Sequence, residues 1–145
     1  MVCLGNICRS PLAEGILQSK ITSNNYMVDS AGTAGHHVGE LPDPRSIEVA
    51  RKYGIDIMGQ RSRKFSKSDF EIFDVIYVMD QSNYNDVVSL AENTSQKEKV
   101  KMILNELSSA INKSVPDPYY GGNQGFENVY QMLNEACTII ASKLK

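Results

Sequence analysis

The run Val75-Ile76-Tyr77-Val78-Met79 constrains this chain more than any other segment. It is apolar throughout, rich in β-branched and aromatic side chains, and too short for a helix, so it reads as a strand covered on both faces. Such a strand belongs in a parallel sheet layered with helices, and the flanking sequence supplies them. Leu12, Ala13, Ile16, Leu17 and Ile21 recur at helical spacing and predict a helix over 10–22, with Ser10 suited to the N-cap and Pro11 to the first helical position. Tyr26-Met27-Val28, ending in Ser30-Ala31-Gly32, reads as a buried second strand. Asp43-Pro44 opens another helix that continues through Ile47, Ala50 and Arg51 and stops at Gly54. Asp80 can cap a helix with the apolar face Tyr84, Val87, Val88 and Ala91, and residues 100–104 read as a further strand. Phe126, Val129, Tyr130, Leu133, Ala136, Cys137, Ile140 and Leu144 trace one face of a final helix. This alternation predicts an α/β fold with a parallel sheet and helices on both faces, whose ligands bind beyond the carboxyl ends of the strands.

Composition bounds the function. The 145 residues, 41% hydrophobic and 22% charged, suffice for one core, and a single domain over 1–145 is expected. No apolar run approaches the ~20 residues of a bilayer span, and no basic segment leads into an apolar stretch at the start, so neither a membrane nor a secreted protein is expected. A net charge of -2 exerts no overall pull toward nucleic acid. The three cysteines, Cys3, Cys8 and Cys137, cannot all pair within one chain, which points to the reducing cytoplasm. The two histidines are the adjacent His36 and His37, and with no C-x-x-C or H-x-x-x-H spacing no metal is expected.

The turn ahead of the first helix carries the chemistry. It reads Cys3-Leu4-Gly5-Asn6-Ile7-Cys8-Arg9-Ser10-Pro11. The residues between Cys3 and Arg9 can wrap a tetrahedral anion so that successive backbone N–H groups of Leu4, Gly5, Asn6, Ile7 and Cys8 point inward, while the helix start adds partial positive charge. Gly5 and Asn6 tolerate the left-handed backbone such a nest requires. Arg9 can grip two oxygens with its planar fork. Cys3 faces the same dipoles, which favour a thiolate over a thiol, and Ser10 can donate a hydrogen bond to its sulfur. The expected reaction is attack of that sulfur on phosphorus, followed by hydrolysis of a cysteinyl-phosphate. A leaving alkoxide or phenolate needs a proton, and Val115-Pro116-Asp117-Pro118-Tyr119-Tyr120-Gly121-Gly122 offers Asp117 as general acid, with Tyr119 and Tyr120 as apolar walls.

Cys3 to Pro11 followed by Leu12-Ala13-Glu14-Gly15, together with Asp117 to Gly121, closely resembles the low-molecular-weight protein tyrosine phosphatase family. Asp29-Ser30-Ala31-Gly32, Val38-Gly39, Pro42-Asp43-Pro44-Arg45, Phe73-Asp74 and Met79-Asp80-Gln81-Ser82-Asn83 match in the same order. The resemblance implies a three-layer sandwich around a four-stranded parallel sheet. It also implies Cys3 as nucleophile, Arg9 as phosphate ligand and Asp117 as general acid, with Asn6, Ser10 and Ser30 as a hydrogen-bond network shaping the loop. Leu4, His36, His37, Tyr119 and Tyr120 would line the substrate cleft. Cys8, otherwise simple core filler, would protect Cys3 by a reversible disulfide. The implied substrate is a phosphotyrosine-containing protein or a small aryl phosphate, with phosphate or another oxyanion in the loop, no cofactor, and a monomeric enzyme.

The chain departs from the family in four places. Only Met1 and Val2 precede Cys3, where the family has several apolar residues, so the resemblance implies either that the sequence begins inside the first strand or that the sheet is compromised there. His36 replaces an aromatic residue on the cleft wall. Gln60 stands where many relatives have histidine, so a buried network partner is expected to differ. Ile7 stands where phosphoarginine phosphatases carry threonine, which favours phosphotyrosine. Arsenate reduction on the same fold is the alternative chemistry, although no cysteine lies between Cys8 and Cys137 to relay oxidation. Outside the site, Cys137 is expected in the core, Asp43 and Asp80 at helix caps, and Arg61, Arg63, Lys64 and Lys67 on a solvated face.

Overall fold

A computed structural model describes residues 1–107 and 112–144, with Tyr120 represented by its backbone. The strongly apolar run forms β3 (Ile76–Val78), which lies inside a four-stranded sheet of order β2-β1-β3-β4. β1 is Val2–Cys3, β2 is Ala31–Gly32 and β4 is Val100–Met102, and every pairing is parallel. Helices α1 (Arg9–Lys20), α2 (Pro44–Lys52), α3 (Asp69–Ile72), α4 (Gln81–Ser89), α5 (Thr94–Glu98) and α6 (Gly122–Lys143) complete the fold. The strand alternation sends side chains to two separate cores. Ile76 and Val78 meet Val2, Phe65, Phe70, Val87 and Met102 on one face. On the other, Met79 and Tyr77 meet α1 and α6 through Leu12, Ile16, Val129, Leu133 and Cys137. Cys137 is fully buried, as its place on the α6 stripe implies. Helix, sheet and helix layers follow directly.

Two elements differ from expectation. Residues 26–28 are not a strand, and Met27 is 66% exposed. β1 pairs Val2 with Ala31 and Cys3 with Gly32, so the register places the hydrogen-bonded segment after the apolar run and not on it. The second strand is Ala31–Gly32 instead. The first helix begins at Arg9, one residue early, with Cys8 rather than Ser10 at the cap. Pro11 at its third position is harmless because first-turn amides have no intrahelical acceptor. At the other expected boundaries, β4 ends at Met102 and passes into a 3-10 turn over Ile103–Glu106, while Asp43 and Asp80 cap α2 and α4 as read.

The basic face also resolves differently. Arg61, Lys64 and Lys67 are exposed, but Arg63 is half-buried between Asp29 (3.2 Å) and Asp69 (3.0 Å). These pairs tie the segment after α2 to the start of α3, whose Phe70 packs edge-on to Phe65 with ring centroids 5.3 Å apart. Pairing beyond the strands carries this order to the site. Thr33 and Ala34 donate to the carbonyls of Cys3 and Leu4, each at 2.9 Å, and Val115 N donates to Met79 O at 2.8 Å.

Candidate active site

Cys3 is the last residue of β1, so the chain leaving it enters the space above the carboxyl ends of the sheet and must turn back into α1 within residues 4–8. Two backbone features make that turn possible. Asn6 adopts φ 56°, the left-handed region that asparagine tolerates. Gly32 lies so close beneath that a Cβ there would come within 2.8 Å of the Leu4 carbonyl oxygen. The turn brings the Asn6 amide N–H to 3.3 Å from Cys3 Sγ and the Ser10 hydroxyl to 3.0 Å.

The direction of these hydrogen bonds follows from chemistry. Asn6 Nδ2 can only donate, and it donates to Ser10 Oγ (2.7 Å) and to Ser30 Oγ (3.0 Å). Ser10 therefore has its own hydrogen free for Cys3 Sγ, while Ser30 passes its hydrogen to Glu14 Oε1 at 2.7 Å. Asn6 Oδ1 accepts from the Arg63 backbone at 3.0 Å, which fixes the amide orientation. Gln60 is engaged elsewhere, donating to Pro11 O at 3.0 Å. Burial raises the Glu14 carboxyl above its ordinary value, against the lowering effect of the Ser30 hydrogen bond.

Arg9, 3% exposed, directs Nη1 to Asp80 Oδ2 (2.6 Å) and to Val115 O (3.0 Å), while Nη2 lies 4.0 Å from Asp117 Oδ2. Asp80 thus serves twice, capping α4 with one oxygen and orienting Arg9 with the other. In the sequence Asp80 is legible only as the cap. The signal for the second role was its position at the carboxyl end of the strongest strand.

Asp117 caps a 3-10 turn at Pro118–Tyr120 that contains Tyr119, and Asp117 Oδ1 accepts from Tyr119 N at 3.0 Å. A cleft of about 250 Å³ opens between this segment and the loop. Its lining runs from Cys3 to Arg9, omitting Asn6, and adds His37, Asp117 and Tyr119. Leu4, Gly5, Ile7 and Cys8 therefore line this cleft. The side chains of Asn6 and Ser10, expected to contact substrate as well as support the loop, are buried behind it at 2% and 0% exposure. Adjacent residues on an exposed turn diverge. His37 covers Gly5 and pairs with Glu40 at 2.9 Å, whereas His36 is exposed and outside the described lining. The Tyr120 side chain, expected on the wall, falls outside the described residues.

Cys3 and Cys8 are both free thiols. Burial, with the nearby Asp43, Cys3 and Asp117, pushes the Cys8 thiol up to about 12, so it stays protonated at neutral pH. Among the described residues no group of three His, Cys, Asp or Glu side chains is placed to hold a metal ion.

A sulfur held at the end of a parallel strand, facing amide and hydroxyl donors with a guanidinium alongside, is arranged to pass a phosphoryl group through cysteine, and that is the class of enzyme the fold and loop define. The family model for low molecular weight phosphotyrosine protein phosphatase matches residues 1–145. A Schizosaccharomyces pombe protein of that name is 42% identical over 137 residues, covering 91% of this chain and 86% of the relative. The crystal structure of a protein tyrosine phosphatase from Entamoeba histolytica, with Hepes in its active site, superposes with a TM-score of 0.91 at 37% identity and covers 99% of this chain and 93% of its own. Wzb from Vibrio vulnificus in complex with benzylphosphonate gives 0.87 at 31% identity, covering 99% and 95%. The chain belongs to the low molecular weight phosphotyrosine protein phosphatase family.

Proposed function

We propose that the protein hydrolyses phosphotyrosine and other aryl phosphate monoesters, with residues 1–145 acting as one monomeric domain. The observation that carries this reading is the directed set of hydrogen bonds that leaves Ser10 donating to Cys3 Sγ beneath a cleft bounded by Arg9 and Asp117. Cys3 Sγ, as thiolate, attacks phosphorus. The P–O bond to the aryl group breaks while Asp117, in its acid form, gives its proton to the leaving oxygen. Arg9 and the loop amides hold the nonbridging oxygens as charge builds on them. In the second half Asp117, now a carboxylate, takes a proton from water; the water oxygen bonds to phosphorus, the P–S bond breaks, and phosphate leaves with Cys3 restored. Leu4, Ile7, His37 and Tyr119 flank the aryl group. The benzylphosphonate bound by the Vibrio vulnificus relative supports an aryl group in that position.

Cys8 acts as a reserve thiol: once a peroxide has oxidised Cys3 to the sulfenic acid, the Cys8 sulfur bonds to Cys3 Sγ and its proton leaves with the displaced hydroxyl as water, and three free cysteines suit a reducing cytoplasm. The arsenate-reductase alternative gains no support, since Cys137 is buried between α6 and α1 beside the Ala13 carbonyl, remote in function from the cleft. Among the described residues no helix is long and apolar enough to cross a membrane. The test is turnover of p-nitrophenyl phosphate and a phosphotyrosine peptide by wild type and Cys3→Ser, with acid quenching to trap phosphoenzyme. Wild type accumulates a phosphoenzyme and the serine variant loses turnover in both assays. Activity retained by Cys3→Ser overturns the mechanism.

A further inference from the structure

The loop that carries Cys3 and the segment that carries Asp117 are far apart in sequence, and beyond the contacts of Arg9 with Val115 and Asp117 a second side chain, Arg45, links them. Arg45 lies in the first turn of α2, with its side chain about one-third exposed. Its Nε and Nη2 donate to the two carboxylate oxygens of Asp43, at 3.1 and 3.0 Å. Its Nη1 donates to the backbone carbonyl of Tyr119 at 2.9 Å. The guanidinium carbon also lies 4.6 Å from the Phe126 ring centroid and 5.1 Å from that of Tyr119.

Both ends of this bridge reach the chemistry. The Asp43 backbone N–H donates to the carbonyl of Ile7, within the loop that follows Cys3, at 2.8 Å. At the far end, Tyr119, whose carbonyl Arg45 holds, gives its own N–H to the Asp117 carboxylate. The path from the nucleophile loop to the acid therefore runs through Asp43, the Arg45 fork and the Tyr119 peptide. A long surface side chain ordinarily keeps its rotamer freedom, and here each arm of the guanidinium is committed to a fixed acceptor.

We propose that Arg45 is a positioning residue for proton transfer: it fixes the height of the acid segment over the phosphate loop, from which Asp117 reaches the leaving oxygen. The role deepens the phosphatase reading and rests on it. Arg45 touches no reacting atom, so its loss leaves anion binding by Arg9 and the loop in place and misplaces the acid. Lysine cannot substitute, because a single ammonium cannot engage both Asp43 oxygens and the Tyr119 carbonyl in one plane.

Acid assistance matters most when the leaving phenol is a poor one, and the test uses that dependence. The value of kcat/KM, which reports through P–O cleavage, is measured on phenyl phosphate and on 2,4-dinitrophenyl phosphate for wild type, Arg45→Ala, Arg45→Lys and Asp117→Asn, with the inhibition constant of inorganic phosphate alongside. Both Arg45 variants are expected to lose about 10- to 100-fold on phenyl phosphate and less than about 3-fold on the dinitrophenyl ester, with phosphate inhibition unchanged. Asp117→Asn is expected to show the same pattern more steeply. Equal losses on both esters, or none, in Arg45→Ala beside a discriminating Asp117→Asn overturn the role of Arg45 and leave the phosphatase reading intact. If Asp117→Asn does not discriminate, the acid assignment fails and the role of Arg45 falls with it. Circular dichroism confirms folding, and should Arg45→Ala not fold, Arg45→Lys carries the same comparison.

Discussion

The phosphate loop and the acid segment face each other across one cleft and are secured in different ways. Cys3, Arg9 and Ser10 are at most 3% exposed, and the side chains beneath them are bonded to one another in a fixed direction. Asp117 has a side chain 43% exposed and accepts from the backbone of its own turn. The difference matches the two tasks proposed for them. Stabilising charge on phosphoryl oxygens requires donors that are already in place and do not reorganise, so that half is built into the core. Delivering a proton and then taking one from water requires access to the substrate and to solvent, so that half is hung on a surface segment and braced from outside.

The comparison is tested most severely by breaking the buried half. Arg9→Lys removes the planar fork and leaves Asp80 and the Val115 carbonyl without their partner. A loss of about 10²- to 10³-fold in kcat/KM is expected for every aryl phosphate alike, with phosphate inhibition weakened in parallel. Steady-state kinetics on good and poor leaving groups check it, and a loss confined to poor leaving groups would place Arg9 on the acid side. Asp80→Asn is milder. Asparagine still caps α4 but no longer pairs with the guanidinium at 2.6 Å, and phosphate inhibition is expected to weaken about 10-fold with little change in thermal unfolding. Ser10→Ala removes the hydroxyl that faces Cys3 Sγ while keeping the helix, and a loss in kcat/KM of up to about 10-fold is expected with KM for the aryl group unchanged.

The two halves are unequally legible in the sequence for the same reason. β3, α4 and α6 were legible because each has an unbroken apolar period, and the Cys3 to Arg9 spacing was legible because a loop that wraps an anion is local. The strand placed at 26–28 failed because its apolar character says nothing about register, and the register is set by Val2 and Ala31. Asp80 reaches Arg9 across 71 residues of sequence, and Arg45 reaches Tyr119 across 74. No pattern within a short window records such a contact. Each of these residues also had a sufficient local explanation, as a cap or as part of a first helical turn, that hid the longer-range role. His36 and His37 looked equivalent in sequence and are separated only by the direction their turn takes above Gly5.

The smallest expected effect lies at the far end of the buried network, and it distinguishes a charged anchor from a merely accepting one. Burial raises the Glu14 carboxyl above the ordinary 4.5, and the nearby Asp29 adds to that, while the Ser30 hydrogen bond, the Met1 ammonium and Arg63 oppose it. A carboxyl whose folded pKa is raised favours the folded state fully when the pH is below 4.5 and loses that contribution as pH rises through the folded value. Above the folded pKa the ionised Glu14 therefore costs stability, and there Glu14→Gln, which keeps an oxygen for the Ser30 hydroxyl, is expected to melt higher than wild type by no more than about a few degrees. The gap should close as the pH falls below 4.5, and a gap that stays constant with pH would mean that the charge is not its source. Glu14→Ala separates the remaining possibility. Without an acceptor, Ser30 is free to turn its hydrogen toward other partners and no longer fixes the direction in which Asn6 and Ser10 donate. Activity is then expected to fall further in Glu14→Ala than in Glu14→Gln, because what Cys3 receives from this network is a direction of hydrogen bonding, which an uncharged amide oxygen can also set.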